Sequence, residues 1–328
     1  RAFLHASPVP ELSGPEAAVE AFGYLASFEQ SQRMLLEVPA SLSERTAPDV
    51  VRARALIEAA LAEGRNALSL TEAKTLLRAF NIPVTQSFSA DTPESACAAA
   101  MQLGLPVALK IASPDITHKS DVDGVRLELF TLTSVREAFA QLLEQARVRR
   151  PDARLEGVTV EPMHGKRFGR ELLLGIASDP GFGRVISFGG GGALVELIAD
   201  RSVALPPLSL AMARDMIART RVKSLLGEFR GTPPADENAL LDVLMALSEL
   251  ACELPEVESL DINPLVADAS GVIAVDVRVQ LRAADSARLP EEKEGRYAHC
   301  AIEPFPSDLV RPLLLRDGRK LLLRPVRP

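Results

Sequence analysis

Residues 258–278 read E-S-L-D-I-N-P-L-V-A-D-A-S-G-V-I-A-V-D-V-R. Two apolar runs, residues 260–266 and 272–279, flank the turn signal D-A-S-G at 268–271, and this pattern predicts a β-hairpin. The alternation of apolar and polar residues predicts which side chains pack into a core: Ile262, Leu265, Ile273 and Val275. We therefore expect a hairpin with one packed face.

Three polar residues interrupt the apolar positions of this hairpin: Asp261, Asn263 and Asp276. Two carboxylates and an amide carbonyl offer hard oxygen ligands, which Mg²⁺ takes when it is shared with phosphates. The alternative is an acidic hairpin that faces water. The hairpin residues alone leave both interpretations open.

The composition bounds the class of protein. A chain of 328 residues is long enough for about two domains, and 47% hydrophobic with 25% charged residues is a globular composition. A net charge of -7, without a basic cluster that contains aromatic residues, argues against nucleic acid as the main partner. Cys97, Cys252 and Cys300 are far apart, which favours a reducing, cytoplasmic location. No apolar run predicts a membrane span, and the start at Arg1 suggests an internal piece of a longer chain.

Helices and strands alternate in two α/β lobes. The predicted helices are 16–36, 50–62, 70–80, 92–103, 134–148, 208–219 and 236–253. Besides the opening hairpin, the predicted strands are 84–88, 107–111, 125–130, 158–163, 171–177, 184–188, 194–199 and 202–205. Residues 313–326 predict a final hairpin around Asp317-Gly318.

Three charged side chains of the predicted strands are candidates for binding a nucleotide. Lys110, in the apolar strand V-A-L-K-I-A-S, either extends to the surface or faces an anion such as phosphate, because an unpaired buried ammonium is costly. Glu161 ends one strand and Glu171 opens the next. A strand end between two lobes can offer hydrogen bonds to adenine and a carboxylate to ribose hydroxyls. The alternative is a turn with exposed glutamates.

Two further segments suggest phosphate chemistry. The glycine run at 189–192 lets the backbone approach a ligand and direct amides at an anion, although it matches neither the P-loop nor the Rossmann pattern. Its alternative is a flexible turn. His118, in the polar loop I-T-H-K-S-D-V-D-G-V, can act as a base, a metal ligand or an acceptor of a phosphoryl group, or it can simply be solvated.

Together these segments resemble the ATP-grasp domain of the NDP-forming acyl-CoA synthetases, the superfamily of ADP-forming acetyl-CoA synthetase and succinyl-CoA synthetase. The segments are L-T-E-A-K at 70–74, N-I-P-V at 81–84, L-K-I-A-S-P-D at 109–115, T-H-K-S-D at 117–121, D-P-G-F-G at 179–183, F-G-G-G-G at 188–192, L-D-I-N-P-L at 260–265 and V-D-V-R at 275–278. The resemblance covers residues 66–284. It implies an α/β ATP-grasp fold, two α/β lobes that clasp a nucleotide, with flanking helical and linker segments.

The resemblance also implies residue roles. Lys110 is similar to the phosphate-binding lysine, and Glu161 with Met163 to the hinge that holds adenine. The implied nucleotide-binding set is Lys110, Glu161, Met163, Glu171, Gly190, Gly191 and Gly192. Asn263 and Asp276 are similar to the family's Mg²⁺ ligands. Asp261 is similar to an acidic residue that contacts a phosphohistidine, and His118 is similar to the histidine that relays phosphate.

The chain departs from the family pattern at one position of the histidine loop. The family usually follows H-K-S-D with x-G-G, and here Asp123 stands in place of the first glycine. A carboxylate and a Cβ at this position would stiffen the loop or repel phosphate. This departure concerns turnover more than nucleotide binding.

The two ends carry further resemblances. Residues 7–36 are similar to the tail of a preceding CoA-ligase module, and L-L-L-R-D-G-R-K-L-L-L-R-P-V-R-P at 313–328 resembles the first strands of a GNAT acetyltransferase. The predicted organisation has three parts. Residues 1–65 contain the module tail and linker helices, and residues 285–328 contain a linker and GNAT-like strands. Between them, residues 66–284 form the ATP-grasp domain, with lobes at 66–164 and 165–284.

The leading functional hypothesis is the Mg-ATP/ADP-binding module of a GNAT-fused bacterial protein lysine acetyltransferase. One alternative is a working ADP-forming acyl-CoA synthetase in which His118 carries phosphate, and another is a non-catalytic nucleotide sensor or scaffold. The implied cofactors are Mg²⁺ and ATP or ADP, with acetyl-CoA or CoA bound through neighbouring domains. The implied partners are those domains and a protein substrate with a target lysine, without nucleic acid or membrane. The sequence leaves homo-oligomerisation open.

Overall fold

The computed structural model describes residues 12–36, 47–116, 119–163, 169–192, 200–228, 231–282, 311–315, 317 and 319–323. The chain divides into two units, Arg1–Ser41 with Glu294–Pro328, and Leu42–Lys293. The second unit contains two β-sheets and the helices that cover them. None of the helices within the described residues is long and apolar enough to cross a membrane.

The predicted helices are confirmed, with ends that agree within two residues. They are α1 (Pro15–Leu36), α2 (Val50–Ala62), α3 (Leu70–Ala79), α4 (Pro93–Leu103), α5 (Leu132–Arg149), α6 (Leu210–Ala218) and α8 (Glu237–Glu253). The short helix α7 (Lys223–Leu226) was not predicted from the sequence. Side-chain caps explain the sharp starts. Ser69 at α3 accepts a hydrogen bond from the Glu72 amide, and the Glu72 carboxylate accepts one from the Ser69 amide.

The first sheet is antiparallel and carries the two candidate charged residues. Its strands are β1 (Phe88–Ala90), β2 (Val107–Ala112), β3 (Val125–Leu129) and β4 (Gly157–Pro162), in the order β1-β4-β2-β3. Helices α4 and α5 cover one face, where Leu109, Val158 and Val160 are buried. Because side chains alternate along a strand, Lys110 and Glu161 point to the opposite face.

The second sheet contains the hairpin that the sequence predicted. Its strands are β5 (Arg170–Asp179), β6 (Gly183–Gly190), β7 (Arg201–Ala204), β8 (Val257–Asp268), β9 (Gly271–Ala274) and β10 (Val277–Leu281), in the order β10-β8-β5-β6-β7 with β9 also on β8. Its apolar face packs in one core with residues of α2, α3, α6 and α8. Asp261 and Asn263 alternate with the buried Leu260 and Ile262, so they lie on the other face.

The second strand of the hairpin is split, which the sequence did not predict. Strand β9 ends at Ala274 and β10 begins at Val277, so Asp276 lies between two strands. Pro264 on β8 has no amide hydrogen, so only its carbonyl takes part in pairing, and it accepts a hydrogen bond from the Val275 amide. The Asn263 amide donates to the Asp276 carbonyl. This break shifts the alternation by one residue.

Half of the predicted packing pattern is wrong. Ile262 and Leu265 are buried as predicted, but Ile273 and Val275 are only half-buried. The buried positions on the other side of the hairpin are Val272, Ala274, Val277 and Val279. They lie opposite buried β8 residues, since Ala274 pairs with Leu265 and Val277 with Ile262.

Two other strand predictions need comment. The strand expected at 84–88 is wrong, because Val84 makes only an isolated bridge to Ala274 and β1 starts at Phe88. The strand expected at 194–199 lies outside the described residues. In the other unit, β11 (Arg311–Leu314) pairs with β12 (Lys320–Leu323), which confirms the predicted final hairpin.

Candidate functional site

Lys110 and Glu161 form a buried ion pair on the open face of the first sheet. Lys110 Nζ lies 2.9 Å from Glu161 Oε2, and the relative exposures of the two residues are 8% and 2%. Lys110 therefore faces an anion, as one alternative predicted, and does not extend to the surface. In this structure the anion is a protein carboxylate. The alternative of an exposed glutamate is wrong for Glu161, whereas Glu171 is exposed.

A second lysine, which the sequence analysis did not select, completes this cluster. Lys74 on α3 is fully buried, and its Nζ lies 2.8 Å from Glu161 Oε1 and 2.6 Å from Thr85 Oγ1. Burial lowers the pKa of Lys74 to about 8, against the opposing charge and hydrogen bond of Glu161. The cluster thus contains two lysines and one carboxylate.

Asp276 and Asn263 are held side by side at the break in the hairpin. The Asn263 amide donates to the Asp276 carbonyl at 3.2 Å. The Asp276 carboxylate lies 3.4 Å from Lys119 Nζ. Burial alone would raise the pKa of Asp276, but the charges of Lys119 and Lys110 lower it. Lys110 of the first sheet and Asp276 of the second sheet are therefore close enough to interact electrostatically.

Asp261 lies beside these residues on the same face of β8. Its cross-strand partner on β10 is Arg278, and on β5 it lies opposite Gly175. Burial raises the pKa of Asp261, and the charges of Arg278 and Arg201 oppose this effect. A glycine at 175 fits this crowded part of the sheet, since an added Cβ would lie 3.0 Å from both the Leu260 carbonyl oxygen and Ser187 Oγ.

The amides of the glycine run are used inside the protein. The Gly190 amide donates to the Asp200 carbonyl, the Gly191 amide to the Glu171 carbonyl at 2.8 Å, and the Gly192 amide to Asn263 Oδ1 at 3.0 Å. The run therefore presents none of these three amides to an anion, and Gly189 and Gly190 lie within β6. It also forms no flexible turn. Gly189 and Gly191 are needed for close approach, because an added Cβ would lie 2.0 Å from the Asp200 carbonyl oxygen and 2.4 Å from the Leu172 carbonyl oxygen, respectively.

The remaining predicted residues lie at the edges of the site or outside the description. Met163 directly follows β4, and its amide donates to the Pro106 carbonyl at 3.1 Å. His118 lies outside the described residues. Asp123 adopts a positive φ of 51°, as a glycine would, and its carboxylate turns toward Arg126 at 3.1 Å.

A cleft of about 460 Å³ adjoins the charged cluster. Thr159 of the first sheet and Arg278 of the second both line it, together with Lys119 and the start of α3. Thr159 lies directly opposite Lys110 in the register of β2 and β4. The cleft is therefore lined by Lys119 and by sequence neighbours of the candidate residues, whereas Lys110, Glu161, Asn263 and Asp276 do not line it themselves.

Comparisons with known proteins agree with this arrangement. A family model described as the ATP-grasp domain matches residues 59–281. Over 232 residues the chain is 39% identical to the beta subunit of acetate–CoA ligase (ADP-forming) I of Pyrococcus furiosus, which covers 71% of this chain and 99% of the subunit. The chain belongs to the ATP-grasp family of ADP-forming acetyl-CoA synthetases. The ATP-grasp fold that the sequence predicted is thus confirmed.

Longer and structural relatives place the ATP-grasp domain in context. The chain is 34% identical over 281 residues to acetate–CoA ligase (ADP-forming) I of Archaeoglobus fulgidus, and spans 40% of that protein. Its structure is similar to dinucleotide-forming acetyl-coenzyme A synthetase 1 of Ca. Korarchaeum cryptofilum, solved with coenzyme A, Ca-AMPCP and HgCl⁺. The TM-score is 0.68 at 37% identity, over 70% of this chain and 100% of that one. Because these relatives are enzymes, the chain is part of a synthetase-like enzyme.

The donor set at the hairpin fits the Mg²⁺ that an ATP-grasp domain uses. Asn263 Oδ1 accepts one hydrogen bond from Gly192 and keeps a second lone pair, and Asp276 offers a carboxylate. Among the described residues, no group of three or more His, Cys, Asp or Glu residues could hold a metal ion. Two protein ligands suit Mg²⁺, which is bound through few side chains and completed by water and substrate phosphates.

Two lysines of this ATP-grasp site were missed as candidates, Lys74 and Lys119, although both lie in segments that carried the resemblance. The spacing of Leu70, Lys74 and Leu77 could have identified Lys74, because i, i+4 and i+7 place it on an apolar helix face. No comparable signal marks Lys119, whose partner Asp276 is 157 residues away in sequence.

Proposed function

We propose that this chain is the ATP-grasp part of an ADP-forming acyl-CoA synthetase and that it moves a phosphoryl group between a nucleotide and a histidine. The observation that carries the proposal is the convergence of Lys110 with the oxygen donors Asn263 and Asp276. The contact of Lys119 Nζ with the Asp276 carboxylate at 3.4 Å supports it, since it joins the loop after β2 to the hairpin that carries both oxygen donors. A cation for phosphate and ligands for Mg²⁺ at one site are what phosphoryl transfer from ATP requires.

The proposed step is an in-line displacement. The bond between the γ-phosphorus and the bridging oxygen breaks, its electron pair leaves on ADP, and a phosphorus–nitrogen bond to an imidazole forms. In the ligation direction of an ADP-forming ligase this step consumes ATP and releases ADP, and in the opposite direction it makes ATP. Lys110 would neutralise charge on the phosphate oxygens, and Asn263 with Asp276 would hold Mg²⁺, which would offset the negative charge of the phosphates.

Residues at the strand junction would hold the rest of the nucleotide. We assign the adenine to the segment from Glu161 to Met163, which ends β4, and the ribose side to Glu171. Asp261 would face the phosphorylated histidine, and His118 would relay the phosphoryl group. These roles rest on the family resemblance of the segments together with the convergence described above.

Calorimetric titration with Mg-ADP tests nucleotide binding. We expect the wild-type chain to bind and Lys110→Met to lose about tenfold or more in affinity, because a desolvated cation at a phosphate is worth more than an exposed one. Lys223→Met is a matched control, since it removes one lysine from an exposed pair with Glu237 outside the site. Absence of wild-type binding, or equal affinities for wild type and Lys110→Met, would overturn the proposal.

Transfer of radioactive phosphate from [γ-³²P]ATP tests the histidine step. We expect an acid-labile, alkali-stable label on the wild-type chain and none on His118→Ala. Nucleotide binding without any label in the wild type would favour the alternative of a nucleotide sensor or scaffold. The same result would remove the relay role from His118.

The acetyltransferase hypothesis receives no support from the comparisons. The family match ends at residue 281, before the final hairpin, and the relatives named above are acetate–CoA ligases or an acetyl-CoA synthetase. The comparisons favour the synthetase alternative instead. A GNAT domain, its acetyl-CoA and a protein substrate with a target lysine stay predictions from the sequence of residues 313–328.

A further inference from the structure

Lys74 is the largest fully buried side chain of the described structure, yet the roles assigned so far do not use it. Burial of a lysine is costly unless the ammonium is paired and hydrogen-bonded. Lys74 meets both conditions through Glu161 and Thr85. A buried charge that is paired in this way is weak evidence for added stability, because the cost of removing both charges from water offsets much of their attraction.

The position of Lys74 links both sheets to the candidate site. From α3, its Nζ contacts Glu161 on β4 of the first sheet. It also contacts Thr85, whose amide donates to the Ala274 carbonyl at 2.9 Å and whose hydroxyl donates to the Val275 carbonyl at 3.5 Å. Ala274 and Val275 immediately precede Asp276. Lys74 therefore holds the carboxylate that pairs with Lys110, and it is linked through Thr85 to the segment that carries the candidate metal ligand.

The charges of the cluster suggest why two lysines share one carboxylate. Glu161 Oε1 accepts from Lys74 and Glu161 Oε2 from Lys110. If Lys110 donates to a nucleotide phosphate, its attraction to Glu161 weakens, and Lys74 still compensates the buried carboxylate. Without Lys74, the same movement would leave Glu161 buried and unpaired, which is strongly unfavourable. Lys110 would then stay bound to Glu161.

We propose that Lys74 is a positioning residue of the nucleotide site, which retains Glu161 and thereby frees Lys110 to bind phosphate. This inference rests on the proposed function, since it requires a nucleotide phosphate at Lys110. It assigns to Lys74 no contact with the nucleotide itself. Its effect must therefore pass through Glu161, and a double-mutant cycle can measure this dependence.

The test measures Mg-ADP affinity by calorimetry for wild type, Lys74→Met, Glu161→Gln and the double variant, with Lys223→Met as the control. We expect Lys74→Met to weaken binding about tenfold, and the same substitution to change affinity less than about twofold in the Glu161→Gln background. Wild-type-like binding by Lys74→Met, or independent losses that multiply in the double variant, would overturn the inference. If wild type itself does not bind, the proposed function fails first.

Thr85→Val keeps the test decisive if Lys74→Met does not fold. Valine nearly matches threonine in shape but removes the hydroxyl that Lys74 Nζ contacts. We expect affinity for Mg-ADP to fall about threefold or more, because one of the two contacts that hold Lys74 is lost. Unchanged affinity in a folded Thr85→Val variant would overturn the inference.

The pH dependence of binding adds a measurement that a purely structural role would not change. The charged groups that face Lys74 are Glu161 on β4, Lys110 on β2 and, at longer range, Asp276. Because the pKa of Lys74 is about 8, wild-type affinity should weaken as pH rises from 7 to about 9, when Lys74 becomes neutral and Lys110 alone pairs with Glu161. The ratio of wild-type to Lys74→Met affinity should approach one over this range. A constant ratio would contradict the inference.

Discussion

Glu161 shares its buried carboxylate between Lys74 and Lys110, so the cluster has a net charge of one positive unit when all three groups are ionised. Removal of Glu161's charge would leave two lysines facing each other, whereas removal of Lys110 would leave a neutral pair. We expect Glu161→Gln to lower the free energy of unfolding by about 3 kcal/mol, and Lys110→Met to lower it by clearly less. Urea denaturation of both variants measures the difference. A larger loss for Lys110→Met would contradict this view of the cluster.

Two neighbouring residues of the histidine loop should respond differently to substitution. An added Cβ at Gly124 would lie 2.6 Å from Ile111 Cγ2 and 2.9 Å from the Lys119 carbonyl oxygen. We expect Gly124→Ala to destabilise the protein by about 2 kcal/mol, because backbone must move to make room. Asp123→Gly should change stability by less than about 1 kcal/mol, because two effects offset each other. Glycine adopts the positive φ more easily than aspartate, but the ion pair with Arg126 is lost.

Thermal or urea unfolding of both variants tests this pair of expectations. Mg-ADP affinity of Asp123→Gly tests whether the substituted glycine matters for the site. The Asp123 carboxylate is directed at Arg126, so we expect unchanged affinity. A gain in affinity would mean that this carboxylate repels phosphate after all.

The start of helix α3 is stabilised by a network that is sensitive to acid. The Glu72 carboxylate accepts from the Ser69 amide at 2.8 Å and from two nitrogens of Arg65 at 2.8 and 2.9 Å. Burial alone would raise the pKa of Glu72, but the bonds from Arg65 and Ser69 lower it. Because the folded pKa lies below the unfolded value of 4.5, Glu72 contributes stability above pH 4.5 that is lost as pH falls through the folded pKa.

Stability measurements against pH test this network. We expect the difference in unfolding free energy between wild type and Glu72→Gln to be constant above about pH 5 and to shrink below pH 4.5. Glu63→Gln is the control, since it removes a largely exposed partner of Arg65 and should cost no more than about 0.5 kcal/mol. A difference that grows on acidification would contradict the assignment. Since α3 carries Lys74, its start also supports the candidate site.

For the molecule as a whole, a nucleotide bound between residues of both sheets should stabilise the entire unit that contains them. A ligand at one hundred times its dissociation constant adds about 2.7 kcal/mol to the stability of a protein that binds it only when folded. We expect Mg-ADP to raise the melting temperature of wild type and of Lys223→Met, but much less that of Lys110→Met at the same concentration. An equal rise in all three proteins would place the nucleotide elsewhere.

The sequence was sufficient for the fold class and for the longer helices. Helix ends agree within two residues because capping residues, prolines and glycines act over short distances along the chain, as Ser69 and Glu72 do at α3. The two strands that were wrongly predicted, at 84–88 and across Asp276, depend on what lies opposite them, since Val84 only bridges to Ala274 and the break lies opposite Pro264. Alternation within a strand carries no information about where the partner strand has a proline such as Pro264.

The sequence by itself also determined the family and, through its motifs, the candidate residues Lys110, Asn263 and Asp276. Only the tertiary structure decided how they are paired. It showed that Lys74 joins Glu161 from 87 residues away, that Asn263 accepts from Gly192, and that Lys119 lies at Asp276. The physical reason is that the cost of a buried charge depends on the partners that folding brings next to it, and a local sequence pattern does not contain them.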